Sequence, residues 1–153
     1  MAEAARMFER ASSLRPEDYQ APSFLAQAYN SMGREEESMA ANRRSIRLME
    51  ERLELNPSDA RAANLLAATF ANLGETEKAM DYAERSLAID PDDAMLLYNV
   101  ACTYALLGRA DEAIGFIERA VDKGFGHKEW LDHDPDLDPL RGNPRFETIS
   151  SAM

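Results

Sequence analysis

A pattern of large and small apolar residues recurs 34 residues apart in the middle of the chain, between Ala60 and Ile117. The matching positions are Leu66-Ala67 with Val100-Ala101, Phe70 with Tyr104, Gly74 with Gly108, Ala79 with Ala113, and Ala83 with Ile117. A fixed period of this length indicates a repeat protein, in which each unit buries its apolar face by stacking on the next. The period restricts the possible folds more strongly than the composition does.

Each unit is predicted to contain two helices. With Ala60 as position 1, positions 4, 7, 8 and 11 form one apolar stripe, and positions 20, 24 and 27 form a facing stripe. Gly74 is expected to end the first helix, because glycine adopts the left-handed conformation needed there at little cost. Pro91 follows the second helix, since proline cannot continue it. The sequence therefore predicts an all-α fold.

The same register extends over most of the chain and predicts one domain over residues 1–153. Residues 1–18 match the second helix of a truncated repeat, whose first helix is missing. The next repeat covers 19–59, and its closing Pro57 stands seven residues late, at 57 instead of 50. Its second helix, 35–55, is accordingly predicted to be about two turns longer than its counterparts. Regular repeats follow at 60–93 and 94–127, and the proline-rich segment 128–153 is predicted to cap the array.

The residues at positions 7, 8, 11, 15, 20, 24, 27 and 32 resemble the tetratricopeptide repeat, with Ala79 and Ala113 as its alanine and Pro57 and Pro91 as its proline. This resemblance implies a right-handed α-α superhelix that acts as an adaptor or scaffold and binds a peptide or partner segment in its concave groove. The C-terminal sequence DPDLDPLRGNPRF also resembles the closing segment of bacterial multidomain regulatory proteins. That second resemblance implies a bacterial origin and a larger parent protein.

The resemblance also implies which residues line the groove, namely those opposite the core stripe of each first helix. The predicted peptide-binding residues are Phe24, Gln27, Arg61, Asn64, Ala68, Met95, Tyr98 and Asn99. Asparagine and glutamine amides can both donate to and accept from a peptide backbone. Tyr98 and Phe24 would offer flat contact area, and Arg61 could pair with a carboxylate. The alternative for each residue is that it is merely solvated or fills the interior of the superhelix.

The net charge of -11 argues against nucleic acid and anionic membranes as partners, because those surfaces attract clustered Lys and Arg. No apolar run approaches the length of a membrane span, and the first residues lack the apolar core of a secretory signal. The single cysteine, Cys102, fits a reducing compartment. We therefore expect a cytoplasmic protein that binds neither nucleic acid nor membrane.

The sequence contains no phosphate-binding glycine loop, nucleophile elbow or HExxH motif, so we expect no enzymatic activity and no cofactor. The acids between Asp132 and Asp138 alternate as in a calcium loop. Counting from Asp132, however, Leu137 and Asn143 stand where that loop requires Gly and Glu. These aspartates are interpreted as caps of turns before prolines, and no metal site is predicted.

An architectural role is the alternative to peptide binding. Met7, Phe8 and Leu14 would be exposed on the N-terminal helix if nothing covered them, and such a patch is typical of an interface. Together with the long helix 35–55, this suggests a spacer or a self-association element that forms a homo-oligomer through the N-terminal helix.

Overall fold

The computed structural model describes all 153 residues and contains only helices, which confirms the predicted all-α class. The elements are α1 (Ala2–Leu14), α2 (Gln20–Ser31), α3 (Glu35–Leu55), α4 (Ala60–Asn72), α5 (Thr76–Ile89), α6 (Ala94–Leu106), α7 (Ala110–Asp122), α8 (Lys128–His133), the 3-10 helix η1 (Pro135–Leu140) and α9 (Pro144–Ala152). None of them is long and apolar enough to cross a membrane.

The chain divides into two compact units, Met1–Pro57 and Ser58–Met153, where the sequence predicted one domain. We call them the N-terminal unit, with α1 to α3, and the C-terminal unit, with α4 to α9. The boundary coincides with the late proline that closes the long helix α3.

The packing between α2 and the first half of α3 uses mainly small side chains. One packed cluster of buried residues in the N-terminal unit comprises Ala5, Ala26, Ala28, Tyr29 and Ala41. Small residues let α2 and α3 approach closely, so two serines on α3 reach backbone carbonyls of the preceding segment. Ser38 donates to the Ala26 carbonyl at 2.8 Å, and Ser45 donates to the Tyr19 carbonyl at 3.0 Å. These bonds satisfy hydroxyl groups that would otherwise be buried without partners.

The C-terminal unit begins with two helix pairs, α4 with α5 and α6 with α7. Gly74 and Gly108 adopt φ of 76° and 75° after the first helix of each pair, as the sequence predicted. In both pairs, an aromatic ring on the first helix packs against a ring on the second. Phe70 lies 5.7 Å from Tyr82, and Tyr104 lies 5.0 Å from Phe116, between ring centroids.

The last three elements pack onto the preceding helices as a cap. Their apolar side chains Leu131, Leu137, Leu140 and Phe146 are completely buried in the core that α6 and α7 share. Arg145 holds the Glu118 carboxylate of α7 with two bonds of 2.7 and 2.6 Å. The cap is therefore an integral part of the C-terminal unit.

Candidate functional site

The predicted binding residues of α4 stand on one side of that helix and differ strongly in exposure. Arg61 is exposed in the first turn, and Ala68 is half-buried. Asn64 is only 5% exposed, and its Oδ1 atom has no hydrogen-bond partner. Asp59 accepts the Ala62 N–H at 3.0 Å and so anchors the first turn from which these side chains project.

The unpaired Asn64 oxygen is energetically unusual. Nearly all buried polar atoms in folded proteins have a partner. A buried acceptor without one costs about 1–3 kcal/mol, because it has lost its water and gained nothing in return. A ligand that draws this side chain towards the surface and supplies an N–H to its oxygen would recover that free energy, so Asn64 is the most informative residue of the predicted site.

On α6, the predicted binding residues differ in how far they are exposed. Met95 is exposed and Asn99 is half-buried, but Tyr98 is only 2% exposed. The Tyr98 hydroxyl donates to Asp134 Oδ2 at 2.6 Å, and its ring stacks on Phe125 at 4.4 Å. The expectation that Tyr98 offers a flat surface to a peptide is therefore corrected, because the cap covers this part of α6.

The interior around Asp134 holds two further ionisable groups. The Cys102 thiol lies 3.8 Å from Asp134 Oδ2. Burial raises the pKa of both Tyr98 and Cys102 well above their ordinary values, and the neighbouring carboxylate adds to the effect. Both groups are therefore neutral hydrogen-bond donors at physiological pH, and a thiol in that state is not an activated nucleophile.

The two predicted residues of the N-terminal unit are Phe24 and Gln27, both exposed on α2. The Phe24 ring stacks on Phe8 of α1, with 5.4 Å between centroids. Phe24 therefore shares part of its ring surface with Phe8 and remains 46% exposed.

Comparison with known proteins identifies the repeat. A tetratricopeptide repeat model matches residues 2–48 and 42–94, which is more than half of the chain, and a second such model matches residues 82–115. The chain belongs to the tetratricopeptide repeat family. Proteins of this family are protein-interaction modules whose stacked helices form extended binding surfaces. No curated protein matches the chain in sequence.

Solved structures are similar to this tetratricopeptide-repeat chain at low sequence identity. A crystal structure of MamA is 17% identical and has a TM-score of 0.56, covering 97% of this chain and 79% of that one. A crystal structure of YrrB, described as a TPR protein with an unusual peptide-binding site, is 18% identical with a TM-score of 0.49 and covers 86% and 81%. The MamA similarity shows a shared fold.

Two features of this tetratricopeptide-repeat protein were not among the predicted site residues. Asp134 had been interpreted only as a cap, and it does accept the Asp136 N–H at 3.0 Å. Its second role, as the acceptor for Tyr98, depends on the folded cap and has no signal in the sequence.

Trp130 lies exposed on the cap, with its ring 4.8 Å from that of His127. The sequence signal for this exposed ring was a single tryptophan just after the last repeat.

The acids of the cap do not converge on a metal ion. No group of three or more His, Cys, Asp or Glu side chains in the structure is placed to hold one. Asp132 instead pairs with Lys128 at 3.1 Å and accepts a bond from the Ser150 hydroxyl. The hydrogen bond from Ser150, together with that from Lys128, holds the pKa of Asp132 below its usual range.

Proposed function

We propose that the C-terminal unit binds an extended peptide segment of a partner protein on the side chains that α4 and α6 present beside one another. We call this surface the α4–α6 face, defined by Arg61, Asn64, Ala68, Met95 and Asn99. The observation that carries the proposal is the buried, unpaired Oδ1 of Asn64. An extended peptide offers regularly spaced backbone N–H groups, and one of them would satisfy this atom once the Asn64 side chain turns outward towards the peptide.

The other members of the α4–α6 face have the chemistry that such a ligand requires. Asn99, half-buried on α6, adds a second amide that can donate and accept. Met95 is exposed and adaptable, so it suits an apolar side chain of variable shape. Tyr98 takes no direct part, since its hydroxyl donates to Asp134 and its ring stacks on Phe125.

Selection of peptides from a random display library on the purified chain, followed by titration of a synthetic hit, tests the proposal. Asn64→Ala should weaken binding about tenfold, the equivalent of roughly 1.4 kcal/mol. The same variant should leave the stability of the free protein unchanged or raised, because it removes an unsatisfied acceptor. Asn72→Ala, at the exposed end of α4, is the matched control. Selected peptides that bind both asparagine variants equally well would refute the α4–α6 face.

A second candidate function is self-association through α1. Met7 and Leu14 are 66% and 72% exposed and stand seven residues apart, so both lie on one face of this helix. Sedimentation velocity over a hundredfold concentration range would detect the oligomer, and Met7→Glu with Leu14→Glu should abolish it. Ser13→Glu, also exposed on α1, controls for the added charge. A wild-type chain that sediments as one monomeric species at the highest concentration would exclude this function.

A further inference from the structure

The ring pairs of the two regular repeats have a counterpart in the N-terminal unit that lacks one ring. Phe70 pairs with Tyr82 and Tyr104 pairs with Phe116, each pair twelve residues apart in the sequence. The same spacing from Tyr29 leads to Ala41. Alanine therefore stands where the other repeats carry an aromatic side chain.

The missing ring leaves a cleft. A cavity of about 270 Å³ opens among α1, α2 and α3, and Tyr29 and Ala41 both line it. Its other apolar walls come from Pro22, Leu25 and Ala40. These residues belong to the core stripe of α2 and to α3, so the cleft is separate from every predicted groove residue.

The size of the cleft is sufficient for an aromatic side chain. An apolar cavity of roughly 150 Å³ admits a benzene ring, so 270 Å³ holds a ring with a substituent. The volume and the neighbouring ring pairs agree on an aromatic side chain as the occupant.

The charges at the edge of the cleft add a second requirement. Arg44 lines it and makes only a long contact, 3.4 Å from Nη2 to the Ser12 carbonyl, with no carboxylate partner. The Glu37 carboxylate also lines the cleft, but Arg34 holds it with two hydrogen bonds, one of 2.8 Å. An occupant with a carboxylate beside its ring would pair with Arg44.

We propose that the N-terminal unit captures a partner peptide by an aromatic side chain that fills the cleft above Tyr29 and Ala41, with an adjacent acidic residue bound to Arg44. The bound ring would take the place that Tyr82 and Phe116 occupy in the regular repeats. This site is independent of the α4–α6 face, so either can fail without the other.

Short peptides test the proposal by NMR titration of the ¹⁵N-labelled chain. Acetyl-Phe-Asp-amide should give saturable shifts at the amides of Ala40, Ala41 and Arg44. Acetyl-Ala-Asp-amide and acetyl-Phe-Lys-amide should bind at least fivefold more weakly, because one lacks the ring and the other reverses the charge. Equal binding of all three peptides, or no saturable shift at these amides, would overturn the proposal.

Two variants separate the ring from the charge. Ala41→Phe supplies the missing ring within the chain and should abolish binding of the Phe-Asp peptide. Arg44→Ala changes an exposed side chain and leaves the cleft open. It should weaken binding of the Phe-Asp peptide at least threefold, with little effect on binding of the Phe-Lys peptide. If Ala41→Phe does not fold, the Arg44→Ala variant still tests whether the peptide binds in this cleft. Phenylacetate that binds as tightly as the peptide would identify a small aromatic acid as the occupant and refute the peptide.

Discussion

Replacing Tyr98 by phenylalanine removes a single hydroxyl from the interior of the C-terminal unit. The ring contacts are retained, including the stack on Phe125 at 4.4 Å. The change therefore isolates the hydrogen bond of 2.6 Å to Asp134, which connects α6 to the cap.

The expected loss follows from the partners that remain. A hydrogen bond to a charged group contributes about 1.5–3 kcal/mol to stability. Asp134 keeps the Cys102 thiol at 3.8 Å and the Asp136 N–H at 3.0 Å, so we expect a loss of about 2 kcal/mol for Tyr98→Phe. Asp134→Ala should cost about 3 kcal/mol, since it also leaves the Tyr98 hydroxyl buried without a partner and removes the cap of η1. The interaction energy in the double-mutant cycle should be about 1.5 kcal/mol.

The assay is urea unfolding followed by the fluorescence of Trp130, the only tryptophan. Its ring lies 5.8 Å from that of Tyr98, so the signal reports on this part of the C-terminal unit. Tyr104→Phe combined with Asp134→Ala is the matched control, because Tyr104 lies on the same helix and makes no bond to Asp134. An interaction energy below about 0.5 kcal/mol, within the scatter of independent sites, would refute the reasoning.

Three further predictions concern the same unit. Burial raises the pKa of Tyr98 in the folded protein above its ordinary 10.0. The stability that the Tyr98 hydroxyl contributes is therefore complete below pH 10 and is progressively lost above it, where the unfolded chain ionises first. In urea unfolding from pH 9 to 11, the advantage of wild type over Tyr98→Phe should shrink by about 1.4 kcal/mol per unit above pH 10. Gly108→Ala should lower stability by about 1 kcal/mol in urea unfolding, because φ is 75° although no atom lies within 4 Å of the added carbon. Asn143→Ala should cost about 1 kcal/mol in thermal unfolding, since its side chain accepts the Arg145 N–H that begins α9.

The helices could be predicted because their signals are local. Gly74 ends α4 because glycine adopts a positive φ at little cost. Pro91 prevents a longer α5 because proline has no backbone N–H to donate. The late Pro57 likewise predicted a helix over 35–55, the range that α3 occupies. The side chains of Asp59 and Asp93, which cap α4 and α6, carried the same kind of local signal and were overlooked.

The site was only partly predictable, because exposure depends on what packs against a residue. The register places Asn64 and Tyr98 at the same position of successive repeats, and both side chains were expected to line the groove. In the structure, Asn64 is buried with an unpaired oxygen, whereas Tyr98 is bonded to the cap. The difference arises from α8 and η1, whose position no repeat pattern specifies.

The sequence by itself determined the repeat, its family and the succession of helices, since the 34-residue period and its glycines and prolines act through neighbours along the chain. Only the tertiary structure decided that the cap covers Tyr98, that Asn64 keeps an unsatisfied acceptor and that Ala41 leaves a cleft beside Tyr29. These outcomes depend on contacts between residues far apart in sequence, where volume and hydrogen-bond geometry in three dimensions determine which groups are paired, buried or open.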